Sequence, residues 1–151
     1  MPKNKGFTLI ETLLFLAIAA FLLVALSSFF AFTLSARAKN STVLAVESTG
    51  LRALNLISQS IRDAQNFAIQ GGDLILDTAT FQLAGSNLQI VQNGVATNLN
   101  PQNVIVSNLN FTDFAPKLVQ VSFELDFANP ENRKEFSYSQ KFQTAAALRN
   151  Y

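Results

Sequence analysis

The stretch GFTLIETLLFLAIAAFLLVALSSFFAFTLSARAK, residues 6–39, decides how this chain is built. After Glu11 no charged residue appears until Arg37. That is a run of about 25 uncharged, mostly apolar positions, more than the roughly 20 a helix needs to cross a bilayer. From Thr12 to Phe32 the residues Leu, Ala, Phe, Ile and Val fall on every face. A helix that is apolar all round belongs in lipid or in a protein core. Neither Gly nor Pro occurs between Phe7 and Thr49, so the two strongest helix breakers are missing. Ser27 and Ser28 are its mildest weak place.

Lys3 and Lys5 precede the apolar run, and Arg37 and Lys39 follow it. Basic residues before a first hydrophobic segment favour a cytoplasmic N-terminus. The second pair weakens that bias but leaves its direction, with the chain beyond residue 35 outside. Ala36-Arg37-Ala38 is a formal small-x-small cleavage match, yet secretory signals carry an apolar stretch of only about 7–15 residues. A simple signal anchor remains the plainer alternative. Glu11 is the unusual residue. A carboxylate set in hydrocarbon costs roughly 2.5–3.5 kcal/mol and is usually paired or functional. Either Glu11 sits wet at headgroup level, or it awaits a cation from Lys3, Lys5, a new N-terminus or another chain, because Arg37 is far along the helix.

The order Gly6-Phe7-Thr8-Leu9-Ile10-Glu11, behind a short basic leader and ahead of an uncharged apolar helix, resembles the cleavage and methylation motif of type IV prepilins and type II secretion pseudopilins. The resemblance implies residues 1–6 as a leader, removed after Gly6 by a prepilin peptidase. Phe7 would become the N-methylated first residue, and Glu11 the mature fifth residue that supports methylation and assembly. Its carboxylate would neutralise the terminal amine of a neighbouring subunit. Two lone ions buried in an apolar fibre are each expensive, so such a pair penalises mispairing and sets register. The implied location is the inner or cytoplasmic membrane, single-pass, and then a pilus or pseudopilus. The implied partners are membrane lipid, other pilin or pseudopilin subunits, the peptidase and an inner-membrane assembly platform. Many major pilins carry a Pro in this stretch that loosens the helix on assembly; this chain has none, so that melting is not carried over to it. A helix, a hairpin and long C-terminal strands resemble the larger minor pseudopilins or minor pilins, which implies a minor subunit.

Residues 7–33 therefore read as the transmembrane and polymerisation helix. From residue 34 the pattern becomes amphipathic, with Leu44, Leu51, Leu54, Ile57 and Ile61 near helical spacing. This continuation is expected to reach residue 66 and to pack its stripe on a sheet, with Gly50 a tolerated interior cost. Gly71-Gly72 ends the helical region. Residues 67–151 read as an antiparallel β-sheet domain. Strands are expected near Leu74–Leu76, Phe81–Leu83, Asn87–Gln92, Val95–Leu99, Asn103–Phe111, Leu118–Phe127 and Glu135–Thr144. Asn93-Gly94 is the favoured two-residue hairpin turn. In Leu118–Phe127 the residues Val119, Val121, Phe123, Leu125 and Phe127 alternate with Gln120, Ser122, Glu124 and Asp126, one face apolar and one polar. Ala145–Tyr151 reads as a final helical turn or a frayed tail. The expected class is α+β and pilin-like, one long N-terminal helix on a C-terminal antiparallel sheet.

Composition narrows function. Only 14% of residues are charged, against about 25% in ordinary soluble proteins, and the net charge is +1. Such a balance gives no strong nucleic-acid signal. Without Cys or His there is no thiol or His-based catalysis, and most zinc or haem sites are excluded. No catalytic set emerges and no cofactor is called for. Glu124 and Asp126 share the solvated face; Asp73, Asp77 and Asp113 are scattered oxygen donors that could meet calcium only by folding together. Arg133, Lys134 and Lys141 read as the solvated end of a hairpin. The expectation is a structural filament subunit, not an enzyme. The alternative is a membrane-anchored extracytoplasmic β-rich module that binds a ligand, sugar or DNA.

Overall fold

A computed structural model describes residues 8–115 and 117–149. The chain divides into two units, residues 1–38 and 39–151. One helix, α1 (Leu9–Asp63), supplies the first unit and opens the second.

In the first unit Thr8 stands just ahead of α1, and its carbonyl accepts from the amides of Glu11 (3.1 Å) and Thr12 (3.2 Å). The most apolar 18-residue window of α1, near the N-terminus, is wholly unburied. Phe15, Phe21, Phe29, Phe30 and Phe32 all stand exposed. Hydroxyls on this surface are satisfied within the helix. Ser27 donates to the Leu23 carbonyl (2.8 Å), Ser28 to Val24 (3.0 Å), Thr33 to Phe29 (2.9 Å) and Ser35 to Ala31 (3.1 Å). Such back-bonding lets a hydroxyl sit in an apolar medium without a lost hydrogen bond.

In the second unit α1 buries Thr42, Val46, Gly50, Ala53, Ile57 and Ile61. These recur every three or four residues, as one helical face must. The seam differs from the expected stripe. Leu44 and Leu51 are 65% and 57% exposed, and Leu54 is half-buried. The reason lies in volume. Large side chains come from the sheets, so small residues on the helix let the layers approach. Phe142 shows this most clearly: a Cβ on Gly50 would run into its ring, so Gly50 makes room for that ring rather than being merely tolerated.

The strands form two antiparallel sheets instead of one. The first is a meander of β1 (Phe67–Gln70), β2 (Asp73–Leu76), β3 (Thr80–Ala84), β4 (Asn87–Gln92) and β5 (Val95–Asn98), in sequential order. The second is β6 (Val104–Ala115), β7 (Leu118–Phe127) and β8 (Ser139–Ala147), with β7 central. Strand β1 was not expected. Gly71-Gly72 is the two-residue turn of the β1–β2 hairpin, closed by Gln70 opposite Asp73, and not the end of the helix. Asn93-Gly94 is the β4–β5 turn; both residues have positive φ (51° and 77°), which the favoured hairpin turn requires. Strand β7 buries Val119, Val121, Phe123 and Leu125 alternately. Lys134–Phe136 forms a 3-10 turn ahead of β8, so Glu135 and Phe136 lie outside the returning strand expected over Glu135–Thr144, while Ala145–Ala147 extend β8 instead of forming a helical turn.

Phe81, Leu74 and Leu88 of the first sheet share one core with Val104, Val119, Phe123 and Leu125 of the second and with Val46, Ile57 and Ile61 of α1. Phe123 and Phe142 stack within it at 5.7 Å. The sheets are joined at a corner by Asn100, a buried amide. Its Oδ1 accepts from the Leu88 amide (2.9 Å), and its Nδ2 donates to the Ser86 carbonyl (3.3 Å) and the Val104 carbonyl. Beside it the Val106 amide donates to the Ser86 carbonyl (3.0 Å).

Candidate functional site at the helix N-terminus

Gly6 and Phe7, the sequence-predicted cleavage and methylation positions, lie outside the described residues. Glu11 is described. It stands in the first turn of α1, exposed, three residues after Thr8. That spacing is the Thr-x-x-Glu of a helix start. A negative charge there also meets the positive end of the helix dipole, worth about 0.3–1 kcal/mol at an exposed site. Helix physics alone thus tolerates Glu11 at this place. Among the described residues its carboxylate has no hydrogen bond or ion pair. Around it Leu9, Ile10, Leu13 and Leu14 are all exposed. Among the described residues, then, one carboxylate without a counter-ion opens an apolar surface that those residues leave uncovered.

Residues 1–27 match a family model described as the prokaryotic N-terminal methylation motif. The chain carries that motif. Its span includes Gly6, Phe7 and Glu11 and ends within the apolar run. No curated protein and no solved structure matches the chain.

The remaining sequence candidates take structural roles. Asp77 Oδ2 accepts from the amides of Gln65 (2.6 Å) and Asn66 (3.0 Å), fixing the link from α1 to β1. Among the described residues no three acidic side chains converge as a metal would need, so Asp73, Asp77 and Asp113 are not brought together. Glu124 accepts from Asn108 Nδ2 (2.9 Å) and Ser139 Oγ (3.0 Å) and lies opposite Lys141 across β7–β8. The Asn108 bond first, then Ser139 and the Lys141 charge, hold its carboxyl below the usual glutamate value. Arg133 lies over the Phe136 ring (5.0 Å) between Glu131 (3.9 Å) and Glu135 (3.8 Å). The expected basic cluster is thus partly neutralised by its own loop.

Sequence reasoning missed Asn100 and the Gly50–Phe142 contact. Both join segments far apart in the chain, and only Gly50 left a trace, as a glycine inside a helix. On the other side, Tyr138 donates to Glu47 Oε1 (3.2 Å) and ties the approach to β8 onto α1. Burial, then the bond and charge of Glu47, push the Tyr138 phenol upward.

Proposed function

We propose that this chain is a type IV pilin- or pseudopilin-like subunit. It is made as a precursor, anchored in a membrane by the first part of α1, and assembled with other pilin-type subunits through that helix. A prepilin peptidase removes residues 1–6, and Phe7 becomes the methylated N-terminus. The cytoplasmic-side leader, the C-terminal domain outside, and a minor place in a pilus or type II secretion-like filament complete the reading. A structural role, without catalysis, fits the absence of Cys and His.

One observation carries it: the methylation motif runs into a helix whose most apolar 18-residue window, near the N-terminus, is wholly unburied among the described residues. Fully burying a Leu or Phe side chain contributes about 1.5–3 kcal/mol relative to water. Lipid supplies that burial before assembly, and neighbouring helices supply it afterwards. In the second setting Glu11 meets the amine of an adjacent Phe7, and each ion removes the other's desolvation cost.

Mass spectrometry of the chain from cells with active processing machinery tests the reading. The expected product begins at Phe7 and carries one N-terminal methyl group. An intact Met1, or a start after Ala38, would refute it and favour a plain membrane-anchored module.

A further inference from the structure

Strand β5 ends the five-stranded sheet, and all four of its residues are exposed. The Leu99 amide donates to the Leu88 carbonyl (2.8 Å), and Asn98 lies opposite Gln89. In an antiparallel ladder the inward-bonding residues alternate. Leu99, Thr97 and Val95 therefore direct their backbone groups at β4, while Ala96 and Asn98 direct theirs away from the sheet. Neither of these two residues has a backbone partner beyond the strand among the described residues.

Edges of this kind are normally blunted by bulges, charges or prolines. The other sheet follows that rule. Strand β6 has an irregularity between Ser107 and Asn110, with Asn108 at positive φ (52°), and β8 carries Lys141. Strand β5 has no charge, proline or bulge, and its Val95 is exposed. It borders a cleft of about 310 Å³ whose other wall is α1. Arg52, Asn55 and Gln59 line that wall, and Thr97, which pairs with Ile90 on the core side of the sheet, lines the strand side. Among the described residues no carboxylate lines the cleft. The side chains of Arg52, Asn55, Gln59 and Thr97 make no hydrogen bond or ion pair among the described residues.

We propose that this cleft docks an extended segment of another polypeptide that bears a carboxylate. The segment adds to β5 by pairing with the backbone of Ala96 and Asn98, as edge-strand recognition does, and its acid meets Arg52. Backbone pairing gives the affinity, and the lone guanidinium selects charge. The proposal is independent of whether the chain polymerises.

The test uses the full chain in detergent micelles, observed by amide NMR. The probes are a mixed library of heptapeptides with alternating β-branched residues and a central Asp, the same library with a central Asn, and maltohexaose. The Asp library at millimolar concentration should shift the amides of Ala96 and Asn98. The Asn library, or Arg52→Ala, should weaken binding by about threefold to fivefold, the effect of one exposed ion pair. Ala96→Pro removes only an outward-facing N–H, a position where edge strands accept Pro, and should abolish binding while leaving the other amides in place. Three results would overturn the proposal: no shifts with the Asp library, shifts that ignore Arg52, or saturation by the oligosaccharide in place of peptide.

Discussion

At the scale of single residues, the chain contains side chains placed by what they must meet and others placed by what they must leave open. Gly50 is of the first kind. Replacing it with Ala gains about 1 kcal/mol of helix propensity but drives a methyl group into a ring held by its stack on Phe123. Overpacking of that sort costs about 1–3 kcal/mol, so Gly50→Ala should lower the urea midpoint, and adding Phe142→Leu should restore part of it. Glu124 makes a pH prediction. Its folded value lies below its unfolded value, so its contribution to stability is present above the unfolded value and fades as pH falls through the folded one. Asn108→Ala should raise the Glu124 titration midpoint seen by carboxyl NMR; an unchanged midpoint would show that the Asn108 bond is not the main cause. Glu11 is of the second kind. Glu11→Ala removes no side-chain hydrogen bond or ion pair among the described residues, so membrane insertion should be unchanged while incorporation into filaments falls. Normal incorporation in a pull-down of assembled filaments would contradict the pairing role.

At the scale of elements, the two halves of α1 obey different rules, and a pair of substitutions separates them. Leu51→Gln lies on the exposed face and should change the stability of the domain by no more than about 0.5 kcal/mol. Ile57→Ala empties a fully buried site and should cost about 2–5 kcal/mol, read from denaturant melts. A sequence reading that ranks helix faces by large aliphatics would have ordered Leu51 with Ile57. It misleads here because Gly50, Ala53 and Thr42 share the seam with Val46, Ile57 and Ile61, and further bulk arrives from Phe123 and Phe142 on strands. Strands β4, β5 and β7 were legible for local reasons: Asn93-Gly94 fixes a turn by its φ preference, and Val119 to Leu125 alternate cleanly. Strand β1 was not, because Phe67–Gln70 follows the helix with neither Gly nor Pro to mark a boundary, and its hairpin turn looked like a helix stop. The N-terminal site was legible because its residues are adjacent in sequence. The β5 cleft was not, since folding alone brings Arg52 beside Thr97.

At the scale of the whole molecule, burial divides the chain into parts with different solvents. The core residues named above all belong to the second unit, whose polar cross-links include Asn100 and Asp77. In the first unit the described Leu and Phe side chains stand exposed. Conformational stability in water should therefore reside in residues 39–151, and the demand for lipid or for other helices in residues 9–38. A fragment starting at Lys39 should be soluble without detergent, should sediment as a monomer, and should melt cooperatively at the same midpoint as the full chain in micelles. It should also fail to enter filaments, because it lacks the apolar surface that assembly covers and the carboxylate that aligns it. If the fragment melted well below the full chain, the first part of α1 would be stabilising the domain, and the division of labour between an anchoring helix and a self-sufficient domain would be wrong. If it melted normally and still entered filaments, the domain would hold the assembly contacts, and Glu11 would lose the role assigned to it.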